Sequence, residues 1–107
     1  MTFYIKQNDT SPHLSATLKD ADGNLIDLTS ATVRFHMRKI GGSTALVDAA
    51  ATVVAEDAGS VRYNWQAEDT ETPGSFHAEF EVTYASGDIE TFPNDSYVSV
   101  EITDDIT

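Results

Sequence analysis

The feature that most restricts what this chain can become is a strict period-two alternation through its second half. Val61, Tyr63 and Trp65 alternate with Arg62, Asn64 and Gln66. After a polar loop, Asp69-Thr70-Glu71-Thr72-Pro73-Gly74, the pattern resumes: Phe76, Ala78, Phe80, Val82 and Tyr84 alternate with His77, Glu79, Glu81 and Thr83. Val98, Val100 and Ile102 then alternate with Tyr97, Ser99 and Glu101. Successive side chains of a strand point to opposite faces, so this period predicts sheet with one buried and one wet face. One-sided burial is the habit of antiparallel sheet.

The first half extends the pattern. Phe3–Gln7 reads as a strand, broken by Asn8-Asp9-Thr10-Ser11-Pro12. His13–Lys19 follows, with Leu14, Ala16 and Leu18 on one face. Asp20-Ala21-Asp22-Gly23-Asn24 is a turn, because Gly and Asn tolerate positive φ and Asp bonds its own downstream backbone. Leu25–Leu28 returns briefly, and Ala31–Arg38 is a strand with Val33, Phe35 and Met37 inward. Gly41-Gly42-Ser43 turns the chain again. Ala45–Ala55 is locally ambiguous: Ala49-Ala50-Ala51 favours helix, Val53-Val54 favours strand, and the all-β context selects one weak strand. Tyr84–Ile89 is a hairpin turn and Pro93-Asn94-Asp95 another. The expected core is Leu18, Val33, Phe35, Met37, Val61, Tyr63, Trp65, Phe76, Phe80, Val82, Val98 and Val100.

Size fits one domain spanning residues 1–107, which on folding buries roughly 65% of its unfolded surface. Seven to eight short strands at this spacing predict an all-β, immunoglobulin-like antiparallel sandwich. There is no cysteine, hence no disulfide and no thiolate metal site. No apolar run approaches the ~20 residues that span a bilayer. The first residues, Met1 to Lys6, lack the basic and apolar regions of a secretory signal, so synthesis in the cytoplasm is expected. The chain stops five residues after Ile102, which leaves little room for an appendage.

Charge divides the chain. Lys6, Lys19, Arg34, Arg38 and Lys39 precede Gly41, whereas beyond it a single base, Arg62, faces fourteen acids. A net charge of −12 argues against nucleic acid, whose binding needs cationic side chains to release counterions. It argues equally against anionic membrane surfaces. It suits an acidic face docking on a basic partner.

Immunoglobulin domains commonly open their sixth strand with Asp-x-Gly-x-Tyr-x-Cys. Here Gly74-Ser75-Phe76-His77-Ala78 stands in the last five places, with Phe for the corner tyrosine and Ala for the cysteine. That pattern predicts an immunoglobulin-like sandwich outside the antibody family, without the corner hydrogen bond of that tyrosine. Three other stretches carry a closer likeness. They are Leu18-Lys19-Asp20-Ala21-Asp22-Gly23-Asn24-Leu25-Ile26-Asp27-Leu28-Thr29-Ser30-Ala31-Thr32-Val33-Arg34-Phe35, then Asp69-Thr70 leading to Gly74-Ser75-Phe76-His77-Ala78-Glu79-Phe80, then Gly87-Asp88-Ile89-Glu90-Thr91-Phe92-Pro93-Asn94 before the last strand. Together, over roughly residues 13 to 102, they resemble the N-terminal domain of phage baseplate upper proteins. The resemblance implies a non-enzymatic bacteriophage virion protein of the tail or baseplate, present in multiple copies on a symmetric particle and docked on other virion proteins. Members of that family typically continue into a helical linker and further modules. This chain stops at Thr107, which keeps a head decoration, neck or tail-completion role as the alternative. A carbohydrate-binding or adhesion module is the alternative of another class, and it requires exposed coplanar rings.

Candidate chemistry is sparse, and neither a catalytic residue, a cofactor site nor a metal site is assigned. Asp20, Asp22, Asn24 and Asp27 gather oxygen ligands of the kind Ca²⁺ takes, but the closing Glu of a twelve-residue calcium loop is missing and a hairpin turn explains the same residues. His13, His36 and His77 fall on three strands, the last two facing outward. No Gly-x-Ser-x-Gly elbow is present for a serine nucleophile. Asp104 and Asp105 read as a solvated acidic end. Tyr63 and Trp65 share the Val61 face, so burial is expected in place of a sugar platform. Arg34 and Arg38 are expected on the same outer surface as Glu79 and Glu81, paired across the ladder. Docking is expected through sheet edges and through the chain ends, Met1–Gln7 and Asp104–Thr107.

Overall fold

The computed structural model describes residues 2–106. Nine strands form it: β1 (Thr2–Lys6), β2 (Leu14–Thr17), β3 (Thr32–Lys39), β4 (Val47–Ala50), β5 (Thr52–Ala55), β6 (Ser60–Tyr63), β7 (Gly74–Thr83), β8 (Ile89–Phe92) and β9 (Val98–Thr103). Short 3-10 turns at Glu56–Ala58 and Ala67–Thr70 are the helical pieces among the described residues. The larger sheet runs β1-β9-β7-β3-β4 and the smaller β2-β6-β5. β7 is the spine of the larger sheet. β3 pairs along it from Phe76 to Thr83; on its other edge β9 takes Gly74–Ala78 and β8 takes Phe80–Thr83. β1 lies parallel to β9, and every other pair is antiparallel. This is immunoglobulin-type order: β3, β7 and β9 stand where C, F and G stand, and β2, β6 and β5 where B, E and D stand.

The alternation fixes the core. Val33, Phe35 and Met37 of β3 and Phe76, Ala78, Phe80 and Val82 of β7 turn inward against Val61, Tyr63 and Trp65. Phe35, wholly buried, stacks on Tyr63 at 4.3 Å, meets Trp65 edge-on at 5.7 Å and Phe80 at 5.3 Å. Such ring pairs are each worth about 0.5–1.5 kcal/mol beyond their buried area. Of the expected core only Val98 is half-buried, at one side of the sandwich. Ile5, Leu14, Leu28, Val47, Phe92 and Ile102 join it from short strands and loops.

Three expectations need correction. Ala45–Ala55 is two strands in different sheets, β4 on β3 and β5 on β6. Ala51 makes the step between layers, and its N–H donates to the Val33 carbonyl at 2.9 Å. The small side chain lets the backbone turn there, and this split, with β8 and β9 sharing one edge, takes the strand number past eight. Leu25–Leu28 is no strand; it makes a single bridge, Lys19 to Leu25. The polar loop after Trp65 is partly interior. Tyr63 donates its hydroxyl to Asp69 Oδ2 at 2.5 Å, and the Gln66 N–H donates to the same oxygen at 2.8 Å. Burial, with the Asp69 carboxylate beside it, pushes the Tyr63 hydroxyl far above the ordinary tyrosine range. Phe76 offers no hydroxyl, and the tyrosine that pins a turn sits on β6 instead.

Candidate functional site

Two surface features stand out, one at a side of the sandwich and one on the outer face of the larger sheet. The side feature is a seam between β2 and the β8–β9 junction. Leu18, Phe80, Phe92, Pro93 and Val98 line it, with Ala16, Thr17 and the stem of Lys19, around a cavity of about 230 Å³. It exists because β2 pairs only with β6 and β8 only with β7, so each keeps one strand edge free. In sequence Asp20 and Asp22 follow Lys19, and Asp88, Glu90 and Asp95 lie in or beside β8. Glu90 accepts the Tyr84 hydroxyl at 2.7 Å; burial and that carboxylate raise the tyrosine to about 12.

The outer-face feature is a groove of about 340 Å³, lined by His36 and Arg38 of β3, His77 and Glu79 of β7, Asp48 of β4 and Tyr97. Sheet register sets it out: Arg34 lies opposite Glu81, His36 opposite Glu79 and Arg38 opposite His77. The arginines and glutamates do share this surface, but their contacts differ from the expected pairs. Arg34 turns the other way, its Nε 2.9 Å from Asp48 Oδ1 and its Nη2 2.9 Å from the Asp48 carbonyl. Asp48 accepts from the guanidinium twice, through its carboxylate and through its backbone carbonyl. The Arg34 hydrogen bond holds the Asp48 carboxyl below the ordinary carboxylate range. His36 bridges the two acids, 3.2 Å from Asp48 and 3.9 Å from Glu79. Tyr97 lies flat on His77, 4.6 Å between centroids at 13°, with Arg38 Nη2 3.5 Å from its hydroxyl.

Residues 2–106 match the family described as BppU N-terminal domain. The chain belongs to that family. A BppU N-terminal domain is a structural domain of phage baseplates, in keeping with the resemblance read from the three sequence stretches and with the sandwich seen here. A search of curated proteins found no match.

In this member of the family the other candidates have structural uses. Asp20 Oδ1 accepts the N–H groups of Asp22 and Asn24, and its Oδ2 accepts the Asn24 amide. Asp27 Oδ1 accepts the Thr29 N–H and hydroxyl. These bonds hold both carboxyls below their usual range, the Asn24 N–H being the largest influence on Asp20 and the Thr29 hydroxyl on Asp27. Of the four oxygen-bearing candidates, Asp20 and Asp27 thus use their carboxylates to shape the local turns. His36 and His77 occupy adjoining strands but are diagonal to each other, and His13 lies exposed elsewhere. Among the described residues no three His, Asp or Glu side chains group as metal ligands would. Tyr63 and Trp65 are buried. Thr2–Lys6, read as part of a free chain end, is hydrogen-bonded into the larger sheet as β1. What the sequence missed is Tyr97, an exposed aromatic just ahead of β9; its alternation with Val98 and Val100 was the signal available.

Proposed function

We infer that this chain is a non-enzymatic virion structural protein of the phage tail or baseplate, which docks on other virion proteins in many copies around a symmetric particle. The observation that carries the reading is the family match over residues 2–106. The seam supplies a physical means of docking. Free edges on β2 and β8 offer unpaired backbone groups to an added strand, and the apolar gap between them accepts that strand's side chains. Five acids in the segments that flank the lining, against Lys19, favour an extended basic segment of a neighbouring virion protein. The surface as a whole, at −12, disfavours a second copy of the chain there, and disfavours nucleic acid and membrane as partners.

Mass spectrometry of purified particles tests the reading. The chain is expected in intact virions in multiple copies, and its absence from them defeats the proposal. Thr17→Arg, which fills the seam from an exposed position on β2, is expected to lower incorporation without lowering stability. Retention should weaken as salt screens charges over roughly 8–10 Å. Retention indifferent to salt removes the basic partner and leaves apolar strand addition.

A further inference from the structure

The outer-face groove lies on a surface that the seam does not need, and its chemistry differs from the rest of this acidic protein. Its charges balance locally: Arg34 is bound to Asp48, and Arg38 stands across the groove from Glu79. A highly charged ligand meets a like charge there as well as an opposite one, and gains little. The groove does hold donors and acceptors side by side. The guanidinium of Arg38 donates only, the carboxylates of Asp48 and Glu79 accept only, and His36 and Ser43 stand between them. These groups are fixed in advance, Asp48 by two bonds from Arg34 and Tyr97 by its stack on His77. Preorganisation of this kind lowers the cost of binding.

The aromatic ring completes the argument. Tyr97 rests on His77 and has the Arg38 guanidinium 5.7 Å from its ring centroid, yet the residue is 42% exposed and lines the groove. The face of an aromatic ring carries negative potential. The axial C–H groups of a pyranose are weakly positive and form a flat apolar patch of matching size, while the equatorial hydroxyls project sideways as paired donors and acceptors. At about 340 Å³ the groove sits near the lower end of ligand pockets, which run roughly 300–1,000 Å³, and has room for a mono- or disaccharide. We propose that the groove between His36, Asp48, Glu79 and Tyr97 is a binding site for a neutral saccharide, stacked on Tyr97 and hydrogen-bonded by Arg38, Asp48 and Glu79. The site is independent of the docking seam, and either can fail without the other.

Two-dimensional amide NMR on the full chain tests this, with glucose, galactose, mannose, rhamnose and N-acetylglucosamine as probes and glucuronate as the charged comparison. The expected result is saturable shifts confined to His36, Arg38, Ser43, Asp48, His77, Glu79 and Tyr97 with at least one neutral sugar. Tyr97→Ala should weaken binding by roughly tenfold, and Tyr97→Phe should largely keep it. Glu79→Gln, which retains an acceptor but not its charge, should weaken binding less than Tyr97→Ala. Both positions are at least partly exposed, and an unchanged dispersion of the spectrum checks folding. Shifts absent with every neutral sugar, shifts outside the groove, or equal binding by Tyr97→Ala overturn the proposal. Tighter binding of glucuronate than of glucose overturns the neutral class.

Discussion

The two sides of the sandwich are closed by different means. On the β4–β5 side the chain itself steps from one sheet to the other, with Ala51 between the strands and its N–H tied to Val33. On the β2–β8 side the passage from β1 to β2 takes residues 7–13, and these are held by non-covalent bonds. The Asn8 N–H donates to the Thr70 carbonyl, the Thr70 hydroxyl to the Asp9 carbonyl, and the Gln7 amide to the Glu71 carbonyl. One side therefore has almost no freedom to part, whereas the other retains a gap and two free edges. The difference teaches that an edge is left available where chain continuity is long, and the partner proposed above would supply what the chain itself does not.

The largest test sets two phenylalanines against each other. Phe35→Ala removes a ring enclosed by three aromatic neighbours and should cost about 3–5 kcal/mol in urea melts. Phe92→Ala deletes the same group beside the seam, where the walls can close in. It should fall short of Phe35→Ala by at least about 1 kcal/mol. Equal losses would break the contrast between a rigid and a yielding side. Next comes Tyr63→Phe, which leaves the buried Asp69 carboxylate short of a donor and should cost roughly 1–3 kcal/mol. Because Asp69 shapes the turn that carries Thr70 and Glu71, amide exchange in residues 7–13 should rise more than in β4 and β5. A uniform rise would remove the proposed role of that turn in tying the looser side.

The smallest effects are in pH, and they act at opposite ends of the scale. Asp48, on the closed side, has its pKa lowered by Arg34, so its contribution is complete above the ordinary value of 3.8 and fades as pH falls through the lowered one. Tyr84, on the seam side, is raised from 10.0 to about 12. Its contribution is complete below pH 10 and is lost as pH rises through about 12. Amides of β4 should hold their shifts until pH falls below the ordinary 3.8, and in alkali those of β7 and β8 should hold theirs until pH passes 10; tyrosinate absorbance gives the second directly. Alkali shifts appearing first in β4 would contradict the assignment.

Much of this was legible in the sequence, and the rest was hidden for identifiable reasons. Period-two alternation needs five or more residues to speak, so β3 and β7 announced their inner faces while the four-residue β4 and β5 read as one segment. Phe92 ends a four-residue strand, too short for alternation to show which way it faces. Asp69 lies in a polar loop, where a carboxylate is normally solvated, and only the fold reveals that Tyr63 reaches it. On the outer face, the sequence placed Arg34 and Glu81 on one surface but gave no sign that Asp48 lay closer, since the strand bearing it had no assigned sheet. The seam and the groove are products of register and edge, which composition does not encode.

Gly59 marks a backbone crossing with a practical consequence. Its φ is +63°, and a Cβ there would come within 2.6 Å of the Leu18 carbonyl oxygen and 3.0 Å of that of Ile26. Leu18 also donates its N–H to Gly59, and Ile26 donates to Leu18. Three segments are thus clamped at the base of the Asp20–Asn24 turn, and everything above the clamp is held only by the turn's own bonds. Lengthening a loop adds entropy only logarithmically, about 0.6 kcal/mol for each doubling. The turn is therefore a natural graft point: a peptide spliced between Ala21 and Gly23 would be displayed outward, insulated from the sandwich beneath it.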